Sequence, residues 1–166
     1  MFENGLVMEF LFYDAQAQFA DLGTVVFAAL LTGLIGLERE YSGKPAGFRT
    51  HMLVGGASAL LVLLSHKVVS SQIENDVLSG HITTDPIRVI QAIIVGVSFI
   101  GAGTVLKVEE EDRIRYLTTA ASILFAAGIG IAVAASQYIL GTLLVGMVLL
   151  VNTLFGRVGE KLVSGE

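Results

Sequence analysis

GLIGLEREYSGKPAGFRT, residues 33–50, separates two long apolar runs of the sequence. From Leu22 to Leu37 the chain carries no charge, and five charged side chains then fall within the next twelve positions, among two glycines and a proline. Such an abrupt change in polarity predicts a hydrophobic helix that leaves a lipid bilayer into a short loop, with a second hydrophobic helix directly after it.

The composition of the chain argues against an ordinary soluble domain. The 166 residues are 54% hydrophobic and 15% charged, with a mean hydropathy of +0.76, whereas soluble domains average about 25% charged residues. The sequence contains no cysteine for disulfides or thiolate metal sites. It also has no basic patch of the kind that nucleic-acid binding requires, so nucleic acid is not an expected partner. The first partner that the composition predicts is the lipid bilayer.

Five apolar segments are predicted to span the membrane. Residues 1–18 precede them and place aromatic side chains along one side of a helix, which suggests an outer segment that lies in the membrane interface. Asp85 and Pro86 suit the cap and the first position of the third helix. Residues 156–166 are expected to form a cytoplasmic tail. The predicted fold is an all-α membrane domain over residues 19–155, with spans at 19–37, 50–69, 87–106, 117–135 and 138–155.

The distribution of lysine and arginine predicts the orientation of this domain. With the N-terminus outside the cell, eight of the ten basic residues fall in inner segments, and only Lys67 and Arg88 fall in outer ones. Basic residues accumulate on the cytoplasmic side of short loops. The sequence therefore predicts five spans with the N-terminus outside and the C-terminus inside.

Small residues are frequent inside the predicted spans. The chain contains 19 glycines, about 11% of its residues against a usual level of about 7%. In the fourth span, small side chains recur every four residues, which lets two helix backbones approach closely. Packing within one five-helix monomer is the favoured interpretation, and a seam between two copies in a homodimer is the alternative. The stripe consists of Ser122, Ala126, Gly130 and Ala134, and Gly33, Gly36 and Gly47 are also predicted to serve helix packing.

Polar side chains are predicted to gather at the inner ends of four helices. Arg49 is the most informative of them, because a cation at a helix N-terminus opposes the positive end of the helix dipole and needs a compensating partner. Glu38 or Glu40, one short loop away, could accept its guanidinium. The alternative is that these charges only anchor the topology. The predicted cluster contains Glu38, Arg39, Arg49, Thr50, Gly101, Gly103, Thr118 and Thr119.

Signals for a metal site are weak. The acidic run Glu109–Asp112 could attract Mg²⁺ through its carboxylates, but a solvated charged loop is the favoured interpretation. His51, His66 and His81 do not form a recognisable ligand spacing.

Signals for catalysis and for an ion pathway are also weak. Ser98 lacks the second glycine of a nucleophile elbow, and the spacing HExxH is missing, so no enzymatic activity is predicted. No predicted span carries a charged side chain near its middle. This weakens a transporter model, although backbone carbonyls at the glycine segments could line an ion path.

Three blocks of the sequence resemble the MgtC/SapB family of bacterial inner-membrane proteins. They are GLIGLEREYSGKPAGFRTHMLVGGASALLVLLS, GVSFIGAGTVL and LTTAASILFAAGIG, and together they cover roughly residues 22–150. The chain departs from the family pattern at Ser98 and at Tyr116, where glycines are usual, and it has no tryptophan in the fourth span. Through this resemblance Phe99 joins the predicted cluster. The pattern falls on Gly33, Gly36, Glu38, Arg39, Ala46, Gly47, Arg49, Thr50, Phe99, Gly101, Ala102, Gly103, Thr118, Thr119, Ala120 and Ala121.

This resemblance implies a role in magnesium homeostasis, in growth at low Mg²⁺ and, in pathogens, in survival inside host cells. The chain is similar to the short, membrane-only members of the family. Two mechanisms remain open: regulation of other inner-membrane proteins, which is preferred, and transport of Mg²⁺ or another ion through a gate at Glu38, Arg39 and Arg49. In either case Arg49→Ala is expected to remove function without preventing membrane insertion.

Overall fold

The computed structural model describes residues 3–75, 86–106 and 116–155, and it describes the side chains of residues 15–69, 87–105 and 116–153. These parts of the chain are helical throughout apart from short turns and contain no strand, which confirms the all-α class. The acidic run Glu109–Asp112, His81 and the tail 156–166 lie outside them. The helices are α1 Glu3–Tyr41, α2 Phe48–Asn75, α3 Pro86–Leu106, α4 Leu117–Ala134 and α5 Tyr138–Leu150, which continues as a π-helical turn, Val151–Phe155.

Four of these helices contain a stretch that is long and apolar enough to cross a membrane. The stretches are Ala15–Tyr41, Phe48–Val69, Ile87–Val105 and Leu117–Ala134, whereas the apolar helix Tyr138–Thr153 is shorter. Helix α1 runs without interruption from Glu3, so no helix boundary separates residues 3–18 from the first apolar run. The third helix begins at Pro86, as the sequence predicts.

Helices α1 and α2 form a close antiparallel hairpin. A Cβ atom built on Gly36 would lie 2.7 Å from the backbone of Gly47 and Phe48, and one built on Gly55 would overlap the side chain of Thr32. At the far end of the hairpin, Lys67 Nζ lies 2.5 Å from Asp21 Oδ2. The loop between the two helices turns at Gly43, whose φ of 64° suits glycine.

Helix α4 is the centre of the bundle. It packs against all four other helices, and half of its residues are buried, against 17% in the apolar stretch of α3. The backbones of α2 and α4 meet where Gly130 faces Gly55, because a Cβ at Gly130 would overlap the carbonyl of Gly55. Small residues thus allow the close approach that association in lipid requires.

The contacts place the helix ends at two levels. Hydrogen bonds join Arg39 to Thr119, and Ser122 links His51 to Thr119, at one level, which we call the cluster end. Asn152 lies at the same level, because it bonds to Glu38, the neighbour of Arg39 in the sequence. The Lys67–Asp21 ion pair lies at the other level, which we call the opposite end.

Candidate functional site

The buried faces of three helices end in polar side chains at the cluster end. On α1 the buried stripe runs through Ala28, Thr32 and Ile35 to Arg39, at spacings of four, three and four residues. This is the spacing of one helix face. Equivalent stripes on α2 and α4 start at His51 and Thr119, which are both fully buried. The core is therefore largely apolar, with the hydroxyls of Thr32 and Ser58 inside it, and its buried arginine and histidine lie at one end.

Arg39 is the buried cation of this site. Only 4% of its surface is exposed, and its Nη2 donates a 2.5 Å hydrogen bond to Thr119 Oγ1, which joins α1 to α4. Its Nε is buried and has no hydrogen-bond partner in the described part of the chain. A buried donor without a partner costs about 1–3 kcal/mol, so the rest of the bundle must hold this side chain in place.

His51 links α2 to α4 beside Arg39. Its Nδ1 lies 2.9 Å from the carbonyl of Gly47 and therefore carries the proton, and its Nε2 lies 3.0 Å from Ser122 Oγ. The same hydroxyl lies 2.8 Å from the carbonyl of Thr119. Since a serine hydroxyl has one proton, Ser122 can donate to only one of these two acceptors at a time.

The two acidic residues in the last turn of α1 have separate partners. Glu38 Oε2 accepts a 2.9 Å hydrogen bond from Asn152 Nδ2, and its Oε1 accepts one of 3.0 Å from Ser42. Glu40 Oε2 accepts a 2.9 Å hydrogen bond from the N–H of Phe48, the first residue of α2. Glu38 thus ties the end of the α5 helix to α1, and Glu40 caps α2.

Arg49 does not form the predicted contact with Glu38 or Glu40. Its side chain is exposed, and the ion pair found among the described residues joins Lys67 to Asp21. Neither Glu38 nor Glu40 forms a salt bridge with Arg49 there. The buried cation of the cluster is Arg39.

The other predicted site residues are only partly brought together. Gly101 packs against Ala120, since a Cβ there would lie 3.4 Å from Ala120 Cβ, but Gly103 has nothing within 4 Å of such an atom. Phe99 is 77% exposed on the outer surface of α3. Thr118 is exposed and Thr50 is half-buried. Thr118, Ser122 and Asn152 border a cavity of about 130 Å³ between α4 and the end of the α5 helix.

The residues predicted for helix packing contact other helices of the same monomer. Ser122, Ala126, Gly130 and Ala134 are all buried within the monomer. A Cβ at Gly33 would lie 2.8 Å from both Met52 and Phe48.

Sequence reasoning missed His51, Asn152 and the polar role of Ser122. His51 carried a signal, because it is the one ionisable side chain between Arg49 and His66. Asn152 carried none, since its partner Glu38 is 114 positions away. In the described segments, no group of three histidine, cysteine, aspartate or glutamate side chains is placed to hold a metal ion.

Apolar helices packed through small residues, with buried polar groups at one end, define a polytopic helical membrane protein. A model of the MgtC family matches residues 25–161. The chain therefore belongs to the MgtC family, as its three sequence blocks indicate.

Curated relatives agree with this assignment. The chain is 39% identical over 141 residues to the protein called "Putative magnesium transporter YhiD" from Escherichia coli K12. The aligned residues cover 84% of this chain and 62% of that protein. It is 39% identical over 111 residues to Protein SapB of Bacillus subtilis (67% of this chain, 46% of that protein). It is 38% identical over 104 residues to Protein MgtC of Brucella abortus (63% and 38%). The chain thus spans less than two thirds of each of these relatives. No solved structure gives a significant match.

Proposed function

We propose that this chain is a protein of the bacterial inner membrane that serves magnesium homeostasis by contacting other membrane proteins. In this proposal its five helices cross the membrane with the N-terminus outside and the C-terminus inside, and it catalyses no reaction. The Mg²⁺ link is supported by the family and by the name of the Escherichia coli relative. The cellular roles that the family suggests are adaptation to low Mg²⁺ and, where the bacterium is a pathogen, virulence.

The observation that carries this mechanism is the contact between Gly55 and Gly130. At this level the α2 and α4 backbones touch, and the buried positions around them hold alanine, isoleucine and valine together with Thr32 and Ser58, whose hydroxyls donate to carbonyls of their own helices. Mg²⁺ gives up its water reluctantly and usually keeps several water molecules when bound. A close-packed, largely apolar core whose two hydroxyls already donate to backbone carbonyls offers such an ion little space and few ligands, which supports action through contacts over conduction through the bundle.

The buried charge of Arg39 points the same way. At an effective dielectric constant of ~20, a divalent cation ~6 Å from a fixed positive charge is repelled by about 5 kcal/mol. Glu38 is adjacent in the sequence and offsets part of this repulsion, but its carboxylate is already engaged by Asn152 and Ser42. The cluster end is therefore better suited to holding α1, α4 and the end of the α5 helix together than to passing a cation.

Ion transport is the second candidate, because the Escherichia coli relative is named for magnesium transport. In that mechanism Glu38, Arg39 and Arg49 would form a gate at the cluster end. The helices would then have to separate at Gly55 and Gly130 to open a path.

Two measurements on the same protein test the proposal. The first is growth at low Mg²⁺ of a bacterium that lacks its own MgtC-family protein, with and without this chain. The second is Mg²⁺ uptake into sealed liposomes that contain the purified, folded chain, compared with protein-free vesicles.

The proposal expects restored growth and no uptake above that of the empty vesicles. Mg²⁺ uptake by the unmodified chain that is lost in Arg39→Gln would contradict the regulatory mechanism and support transport. If the chain inserts into the membrane but does not restore growth at any low Mg²⁺ concentration, the link to magnesium is contradicted.

A further inference from the structure

A long apolar groove runs along the surface between α2 and α3. It has a volume of about 720 Å³ and is bordered on one side by residues of α2 from Leu53 to Leu61 and on the other by residues of α3 from Arg88 to Ile100. Leu53, Leu61 and Ile100 are 73%, 49% and 46% exposed. The groove is therefore open along its length to whatever surrounds the bundle.

One end of this groove is charged and the rest is apolar. Arg88 borders the groove in the first turn of α3, which begins at Pro86. Its side chain is exposed, and within the described segments no carboxylate forms an ion pair with it. The described wall beyond Arg88 consists of aliphatic side chains, glycine and the hydroxyl of Ser58, which already donates to the carbonyl of Val54.

The length of the groove matches one leaflet of a bilayer. Arg88 and Ile100 are twelve residues apart in one helix, which corresponds to about 18 Å. The hydrocarbon core of a bilayer is about 30 Å thick, so one leaflet is about 15 Å deep. Since Arg88 lies where α3 begins, the groove runs from the membrane interface to roughly the middle of the membrane.

The shape and the charge of the groove favour a lipid. Its wall is aliphatic over about 18 Å, and one end carries the Arg88 guanidinium. An extended hydrocarbon chain fits the apolar part, and an anionic headgroup complements the charged end.

We propose that the groove binds a membrane phospholipid, whose phosphate contacts Arg88 and whose acyl chain lies along Gly96 towards Ile100. The guanidinium presents paired donors that match phosphate oxygens. Gly96 leaves the middle of the groove open, since a Cβ built there would have nothing within 4 Å. This lipid site is separate from the Arg39 cluster; it rests on the proposal that α3 crosses the membrane, and not on how the chain acts in magnesium homeostasis.

The test uses the purified chain in detergent and a phosphatidylglycerol with a photoreactive group midway along one acyl chain. After illumination, the labelled peptides are identified by mass spectrometry. Labelling is expected to concentrate on residues 53–61 and 88–100. Unlabelled phosphatidylglycerol should compete about tenfold better than diacylglycerol with the same acyl chains, because the phosphate contributes a charge-assisted bond.

Two variants separate the two parts of the site. Arg88→Gln should make the two competitors equal, whereas Lys44→Gln, which removes a charge from the loop at the cluster end, should leave their difference unchanged. Gly96→Leu fills the groove and should lower its labelling about tenfold. Gly128→Leu is the matched control, because Gly128 also has nothing within 4 Å of a Cβ but lies on α4 outside the groove.

Three results would overturn the proposal. They are labelling spread evenly over the apolar surface, labelling of the groove that survives Gly96→Leu, and competition by diacylglycerol that equals that of phosphatidylglycerol for the unmodified chain. Disulfides between two copies of the chain, formed from single cysteines placed at residues 53–61 or 88–100, would also overturn it and would assign the groove to a protein contact. The unfolding midpoint of each variant, compared with that of its control, shows whether the change is local.

Discussion

Arg39 and Thr119 are 80 positions apart in the sequence and are joined by a buried 2.5 Å hydrogen bond. The acceptor is a neutral hydroxyl, so the guanidinium is held in the core without a direct carboxylate partner among the described residues. Breaking an interaction of a buried charge is costly because the charge left behind stays desolvated. The cluster end is thus both a joint between helices and a place where substitutions should be poorly tolerated.

Thr119→Val should destabilise the fold by about 1.5–3 kcal/mol, because it removes the acceptor of a charged, buried donor without changing the volume much. The measurement is the unfolding midpoint in detergent. Thr118→Val is the control, since Thr118 is exposed, and it should change stability by less than about 0.5 kcal/mol. Equal effects of the two substitutions would contradict the importance of the Arg39 bond.

Arg49→Ala should leave the unfolding midpoint unchanged, because the Arg49 side chain is exposed. The sequence pattern nevertheless predicts that it removes function. Both can hold if Arg49 contacts a partner outside the chain. The check is to measure stability and growth at low Mg²⁺ on the same variant. A loss of stability of more than about 1 kcal/mol would place Arg49 in the fold instead.

Gly130→Ala should destabilise the bundle by about 1–3 kcal/mol, the usual cost of overpacking, because the new methyl group would overlap the carbonyl of Gly55. Gly128→Ala is the matched substitution two positions away, where a Cβ meets nothing within 4 Å. It should be neutral or stabilising by up to about 1 kcal/mol through helix propensity. The ratio of the two unfolding constants is the measurement. A reversed order would exclude a close approach of α2 and α4.

Asn152→Asp should loosen the end of the α5 helix, since it would place a second carboxylate against Glu38 Oε2 in place of an amide donor. Amide hydrogen exchange of residues 148–153 should become faster, because local opening costs less free energy there. Thr153→Val is the control, because Thr153 is exposed and bonds only to carbonyls of its own helix. Unchanged exchange in Asn152→Asp would show that the bond to Glu38 does not hold this segment.

Tyr116→Gly should stabilise the start of α4. Tyr116 precedes α4 with φ 69° and ψ 16°, a left-handed conformation. This conformation costs a residue with a side chain about 1–2 kcal/mol, and the greater flexibility of glycine in the unfolded state offsets part of the gain. A net increase of up to about 1 kcal/mol in unfolding free energy is expected. A decrease would mean that the Tyr116 ring contributes more than its backbone costs.

The helical class and several helix positions could be predicted from local sequence alone. Runs without charge, and a proline at the start of α3, are properties of neighbouring residues, and α4 begins at Leu117 as expected. The left-handed backbone at Tyr116 also has a local explanation, since it lies in the turn just before α4.

The composition of the cluster end could be predicted only in part. Arg39 continues the spacing of the buried residues Ala28, Thr32 and Ile35, so its burial was readable from the helix period. The dipole argument instead favoured Arg49, because it considers one helix end and ignores what faces it. The contacts of Glu38 with Asn152 and of His51 with Ser122 depend on tertiary packing between distant segments, which no local pattern encodes.

The separation of Arg39 from Thr119 has a consequence for biosynthesis. At a translation rate of roughly 5–20 residues per second, the 80 residues between them take roughly 4–16 s to synthesise. For that time α1 exists with a guanidinium whose acceptor has not yet been made, and its position near the end of the helix lets the charge reach the membrane surface. In the proposed membrane arrangement, the guanidinium enters the core only after α4 has been inserted. The completion of the bundle therefore depends on the order in which its helices are synthesised.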